Sequence, residues 1–267
     1  MKHVLSVQDL SCMGRCSLTV ALPTLSAMGC RCSVLPTALL STHTGFPAPH
    51  RRSLTEDIHQ ICKHWQTTAV HFDAIGVGYL ADPEQAQAVA QVLDAFPALT
   101  VVDPVMGDHG QLYKHITPDH VAAMAQLCKK GNILLPNVTE AALLTGLEYR
   151  ETPDAGYLQE LTAAMGDFGA DAVVITGVSG KNGTIGFYGS DRGRAFSYET
   201  KSVPMQSHGT GDLFAAVVLG GMMTGRNVFE SARLAAGFVE QVLHATKSPS
   251  PHGAEFESQL PWLIQQL

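Results

Sequence analysis

Residues 69–102, AVHFDAIGVGYLADPEQAQAVAQVLDAFPALTVV, decide the fold. An apolar, β-rich run from Ala69 to Val77 gives way to a segment, Pro83 to Phe96, of different rhythm. In that segment Ala86, Val89, Ala90, Leu93 and Phe96 fall on one face of a helix. Asp82 stands where a cap belongs and Pro83 in the first turn, where its missing N–H costs nothing. A second apolar run, Thr100 to Val102, completes a strand–helix–strand unit. Runs of the same kind at Val4 to Val7, Cys32 to Leu35, Ile133 to Leu135 and Ala172 to Thr176 alternate with segments of helical period. That alternation predicts an α/β fold whose central, mostly parallel sheet carries helices on both faces. Between Gly183 and Lys201 the pattern turns to alternating strands around Gly189-Ser190-Asp191-Arg192-Gly193, an antiparallel hairpin near one edge. The last quarter reads as helical, and Ser248-Pro249-Ser250-Pro251-His252-Gly253 separates two helices rather than two domains. The expectation is one domain over residues 1–267.

Composition narrows the partners. A chain of 267 residues can bury a core without disulfides or metals, so stability says little about function. The net charge of -7, with basic residues scattered along the chain, argues against nucleic acid and for a small soluble substrate. No apolar run approaches membrane-spanning length, so no membrane association is expected. Cys12, Cys16, Cys30, Cys32, Cys62 and Cys128 form neither a CxxC pair nor a zinc pattern and read as reduced thiols. The first apolar run is too short for a signal peptide and soon reaches Gln8-Asp9, so a cytoplasmic location is expected.

In an open parallel sheet, ligands bind beyond the carboxyl ends of the strands. Polar residues follow the apolar runs at Asp9, Gly78-Tyr79, Asp103-Pro104, Asn137 and Thr176-Gly177. Each could simply cap a helix or form a turn, but together they converge on one rim. The strongest local signal is Ser207-His208-Gly209-Thr210-Gly211-Asp212-Leu213-Phe214-Ala215-Ala216, a glycine-rich turn running into an apolar helix. Side-chain-free glycines let a ligand approach the backbone, and the first amides of the helix point at it with the positive end of the dipole behind them. A loop capped by Thr210 or Asp212 would use the same residues. The carboxylate favours the first reading: Asp212 would repel a merely bound phosphate, but it suits a base taking the proton of an alcohol that attacks a γ-phosphate. The chain has no GxxxxGK[ST] loop, HExxH motif or GxSxG elbow.

Gly209-Thr210-Gly211-Asp212-Leu213-Phe214-Ala215-Ala216 resembles the signature of ribokinase-like enzymes, and of pyridoxal kinases in particular. Val4 to Gln8, His43-Thr44-Gly45-Phe46, Gly78-Tyr79, Asp103-Pro104-Val105-Met106-Gly107-Asp108, Pro136 to Glu140 and Val174 to Thr176 resemble pyridoxal-kinase segments in the same order. The resemblance implies a ribokinase-like fold, commonly homodimeric. It also implies transfer of the ATP γ-phosphate to a hydroxymethyl group of a vitamin B6 vitamer, with Mg2+ and a monovalent cation such as K+. It makes Asp212 the base and Gly209, Thr210 and Gly211 the anion hole. It places Asp103, Asn137 and Thr176 at ATP, Asp108 and Glu140 at the metal, and Thr44 and Tyr79 in the substrate pocket, with Tyr113 in a loop over the nucleotide. His43 is left without a role.

There are departures. Asp9 stands where pyridoxal kinases carry a serine; it could pair with a cationic ring nitrogen or amine, or be held away by a hydrogen bond to a backbone amide. Cys12-Met13-Gly14-Arg15-Cys16 also differs, and His208 resembles hydroxymethylpyrimidine kinases, so that a hydroxymethylpyrimidine kinase, or an enzyme acting on both rings, is the second reading. A catalytically silent vitamer- or nucleotide-binding protein would have lost the base or the cradle, and both are present.

Overall fold

In the computed structural model, which describes residues 1–181, 183–205 and 207–267, the chain opens with β1 (His3–Ser11), α1 (Leu18–Ala27), β2 (Arg31–Leu40) and β3 (Arg51–Ser53). Then come α2 (Thr55–Trp65), β4 (Ala74–Val77), α3 (Glu84–Ala95) and β5 (Leu99–Val102). The short strands β6 (Gly107–Asp108) and β7 (Gln111–Leu112) precede α4 (Pro118–Cys128), β8 (Ile133–Leu134), α5 (Val138–Thr145) and α6 (Ala155–Gly166). β9 (Ala172–Ser179), β10 (Thr184–Asp191) and β11 (Arg194–Lys201) lead to α7 (Thr210–Met223), α8 (Val228–Ala245) and α9 (Leu260–Gln265). The chain divides into two compact units: residues 1–99 with 203–267, and residues 100–202.

In the first unit the strand order is β4-β1-β2-β3, parallel except for β3, which runs against β2. β1 is buried without interruption from His3 to Asp9, as a strand flanked on both sides and covered on both faces must be. α1 packs on β1, β2 and α7, and α7 reaches β4. At that contact Gly76 of β4 leaves room for Leu219 of α7, whose Cδ2 lies 2.7 Å from where a Cβ would be. The helices α2 and α3 form a separate packed pair, with α2 against β2. Register between β1 and β2 runs evenly from His3 opposite Arg31 to Gln8 opposite Pro36, then shifts so that Leu10 faces Leu39. The extra residue lies in β2, and the bulge falls opposite Asp9.

The second unit orders its strands β5-β8-β9-β10-β11, parallel through β9 and antiparallel beyond. The α/β expectation and its edge hairpin hold: β10 and β11 turn at Arg192 (φ 47°) and Gly193 (φ 80°), the paired positive φ of a two-residue hairpin turn. The β6–β7 pair, which the sequence reading lacked, turns the same way at His109 (φ 50°) and Gly110 (φ 74°).

Several boundaries differ from the sequence expectation. Residues 69–73 are not strand; Asp73 instead accepts hydrogen bonds from Lys2 Nζ and the His3 amide, both at 2.8 Å. α3 starts at Glu84 with Pro83 at the cap position, and Asp82 pairs with Arg51 at 3.2 Å instead of capping. Asp9 and Thr176 lie inside strands rather than after them, because β1 and β9 run on to Ser11 and Ser179.

Candidate active site

The first unit carries the glycine turn. Gly209, at φ 84°, is the cap residue of α7, and no side chain caps that helix, so neither Thr210 nor Asp212 does the capping that the sequence left open. Thr210 Oγ1 turns back to the Ser207 carbonyl at 3.5 Å. Gly209 could not be another residue: the Arg15 carbonyl oxygen lies 2.1 Å from its would-be Cβ, and φ is left-handed. At Gly211 nothing stands within 4 Å of that position, so a ligand can approach the backbone directly. The first amides of a helix have no acceptors within it, and those of α7 open onto this bare turn.

Asp212, in the first turn of α7, is half-buried as a residue, but its carboxyl is poorly solvated, and that desolvation pushes its pKa up to about 7. A hydrogen bond from the Ser17 backbone opposes the rise and the Asp9 carboxyl adds to it. Asp9 is 4% exposed. One of its oxygens accepts from Ser17 Oγ at 2.5 Å and the other from Ser11 Oγ at 3.0 Å. Burial raises its pKa against those two bonds. The partners that hold Asp9 are therefore serine hydroxyls, neither of which the sequence reading had singled out.

Thr44 is exposed, and its neighbour His43 is buried. His43 Nε2 donates to the Pro251 carbonyl at 2.6 Å while Nδ1 accepts from the Gly45 amide at 3.1 Å, which fixes the neutral tautomer. Burial lowers its pKa, and the nearby His208 ring, 4.6 Å away, acts in the same direction. Tyr79 is 7% exposed, with its hydroxyl beside the Arg51 guanidinium. A Cβ at Gly78 before it would displace the Gln8 side chain, whose Oε1 lies 2.7 Å from that place.

In the second unit the sequence-chosen residues gather around Gly107. Asn137 and Glu140 form a reciprocal box at the start of α5: Asn137 Oδ1 accepts from the Glu140 amide at 2.9 Å, and Glu140 Oε2 from the Asn137 amide at 2.8 Å. Glu140 Oε1 accepts from the Met106 amide at 3.0 Å, and Asn137 Nδ2 donates to the Gly107 carbonyl at 2.8 Å. Glu140 is 3% exposed; burial raises its pKa, the amides of this box pull it down, and the Asp108 carboxylate raises it. Both its oxygens are thus given to backbone amides, which makes Glu140 a holder of the 106–107 backbone. Thr176 bridges Asn137 in parallel fashion, its amide on the Pro136 carbonyl at 2.9 Å. Asp103 is half-buried just past β5. Asp108 is exposed, accepts from the His109 amide at 2.8 Å and lies 3.7 Å from His109 Nε2. Tyr113 is exposed at the surface, with its amide on the Met106 carbonyl.

All six cysteines are free thiols, and burial raises the pKa of Cys16, Cys30, Cys32, Cys62 and Cys128. Among the described residues, no group of His, Cys, Asp and Glu could by itself hold a metal ion, and no helix is long and apolar enough to cross a membrane.

A sequence model of the family described as Phosphomethylpyrimidine kinase matches residues 19–255. The chain is 34% identical to pyridoxal kinase from Lactobacillus plantarum, covering 100% of this chain and 98% of that one with a TM-score of 0.92. A candidate phosphomethylpyrimidine kinase from Bacteroides thetaiotaomicron, crystallised with pyridoxal, is also 34% identical, with coverage of 98% and 95% and a TM-score of 0.94. A curated relative, the pyridoxine/pyridoxal/pyridoxamine kinase of Bordetella bronchiseptica, is 29% identical over 91% of this chain and 89% of its own length.

Proposed function

The chain belongs to the phosphomethylpyrimidine kinase family, and on that premise we propose that it transfers the γ-phosphoryl group of ATP to the hydroxymethyl group of a vitamin B6 vitamer. The observation that carries the reading is Asp212: a carboxyl whose pKa is pushed up to about 7, in the first turn of a helix that opens on a bare glycine turn. A base is most effective when its pKa lies near the working pH. The substrate hydroxyl gives its proton to Asp212 as its oxygen bonds to the γ-phosphorus, and the bond from that phosphorus to the bridging oxygen breaks, releasing ADP with the electron pair. The amides at Gly209, Thr210 and Gly211 stabilise the charge on the transferring group. Thr44, Tyr79 and Asp9 are proposed for the vitamer side, Asp9 acting from its buried place through the serines that hold it.

Asp103, Asn137 and Thr176 are proposed to receive ATP. Mg2+ takes oxygen ligands and keeps most of its waters, so a few carboxylates beside a triphosphate suffice. The exposed carboxylate of Asp108 and the half-buried Asp103 fit that need. Glu140 serves from behind, holding the Met106 and Asn137 amides. Bound there, Mg2+ would neutralise the phosphate oxygens. A monovalent cation such as K+ is assigned to the Thr176 region, and residues 1–267 are read as one kinase domain, acting in the cytoplasm as a homodimer. In support of one domain, the family match runs through segments of both units.

The test is ATP consumption with Mg2+ and K+, offering pyridoxal, pyridoxine, pyridoxamine, hydroxymethylpyrimidine and ribose separately, with the product confirmed by mass. Phosphorylated vitamer is the expected result. Product from the pyrimidine alone would replace this reading with the hydroxymethylpyrimidine kinase, and ATP binding without any product would point to a silent binder.

A further inference from the structure

The stretch from Ser250 to Glu257, between α8 and α9, does more than join two helices. It is bonded to the glycine turn and to the loop packed against that turn. The Ala254 amide donates to the His208 carbonyl at 3.2 Å, one residue ahead of Gly209. The Arg15 amide donates to the His252 carbonyl at 2.7 Å, and Arg15 Nε pairs with Glu257 at 2.7 Å. Arg15 is also the residue whose carbonyl faces Gly209. Gly253, at φ 89°, lets these backbones close up: a Cβ there would lie 2.8 Å from the Arg15 carbonyl oxygen and 3.0 Å from that of His208. The stretch thus clasps the turn by the residue that opens it and by the loop beneath Gly209.

A proline has no N–H to give, so at Pro251 the clasp can be tied only through the carbonyl. The donor is His43, 4% exposed, whose Nε2 meets that carbonyl at 2.6 Å while Nδ1 accepts from the Gly45 amide at 3.1 Å. Two glycines make room for the ring: a Cβ at Gly14 would lie 2.5 Å from its Cδ2, and one at Gly45 2.8 Å from its Cε1. The ring centroid lies 4.6 Å from that of His208 and 4.9 Å from that of Phe46, and Phe46 is in turn 5.6 Å from His252. One imidazole therefore touches the loop that carries Thr44, the clasp, and the residue before Gly209.

We propose that His43 is a positioning residue with two separable tasks: through Nε2 and Pro251 it seats the clasp that shapes the glycine turn, and through Nδ1 it sets the loop that carries Thr44. The inference rests on the proposed reaction, in which the amides of the turn stabilise the transferring group and Thr44 lies on the vitamer side.

Two amide side chains divide the tasks. Asparagine reaches only the place of Nδ1, where it can still accept from the Gly45 amide; glutamine reaches the place of Nε2, where it can still donate to Pro251. His43→Asn should lower kcat about tenfold with little change in the KM for the vitamer, and His43→Gln should keep kcat and raise that KM about threefold. The clasp is also read without turnover by amide hydrogen exchange. The Ala254 amide, bonded to His208, should exchange about tenfold faster in His43→Asn than in His43→Gln, both folded by circular dichroism. Equal exchange at Ala254 in the two variants, or an equal loss of kcat, would overturn the proposal. If the wild type phosphorylates none of the acceptors, the proposed function fails, and the exchange comparison still decides whether His43 seats the clasp.

Discussion

A carboxyl with its pKa near 7 changes charge within the range in which an enzyme works, and for Asp212 the direction of each consequence can be worked out. As a base it must be deprotonated, so turnover should rise with pH through an acid limb near 7. Asp212→Asn should lower kcat by roughly 10² or more while ATP still binds; near-normal turnover would remove it from the mechanism. Asp9 leads to a different expectation. Both its oxygens are engaged by Ser11 and Ser17, so Asp9→Ser should leave the ratio of pyridoxal to pyridoxamine turnover unchanged while lowering Tm. A rise in that ratio would mean that the carboxylate reads a cationic amine after all. At this scale the sequence showed the residue types but not their partners. Asp9 stands out in the sequence as a carboxylate after the first apolar run, and Asp212 as one after a glycine turn. Ser17 does not, because nothing local announces that its hydroxyl meets a carboxyl on a neighbouring strand.

Among the elements, α5 and α8 begin with the same device: Asn137 with Glu140 and Asn227 with Glu230 each form a reciprocal capping box. They make a controlled pair. Asn137→Ala and Asn227→Ala should each cost about 1 kcal/mol of stability in urea denaturation. Only Asn137→Ala should raise the KM for ATP, because Asn137 also donates to the Gly107 carbonyl whereas Asn227 serves its helix alone. Equal KM values in the two variants would take Asn137 out of the nucleotide site. The elements themselves were largely legible. Six apolar runs mark strands, and the Arg192-Gly193 turn is visible as a hairpin. Strand ends were not, since β1 and β9 continue through polar residues that tertiary bonds absorb. The β6–β7 pair is too short to leave a periodic trace and rests on the positive φ of His109 and Gly110.

For the molecule as a whole, Asp212 also makes stability depend on pH. Its carboxyl keeps a proton in the folded state up to about 7 that the unfolded chain releases near 4, so its contribution is present at low pH and lost as pH rises between those values. His43, whose folded pKa is lowered, works in the opposite sense, so the difference between two proteins is the cleaner measure. Asp212→Asn should gain stability over the wild type progressively from about pH 4 to about pH 7 and hold a constant margin above. A margin that does not change with pH would mean that Asp212 is ordinarily solvated. Fold class could be read at this scale from the alternation of strand and helix, but the division into units could not, because one of them is assembled from both ends of the chain. That assembly imposes an order on biosynthesis. Residues 100–202 leave the ribosome as one uninterrupted stretch. The unit holding Asp9, Ser17 and Asp212 cannot close until its final segment, from Val203 onward, has emerged. A nascent chain therefore carries the strand of Asp9 long before it carries the base, and a ribosome stalled ahead of α7 displays a protein that cannot yet act.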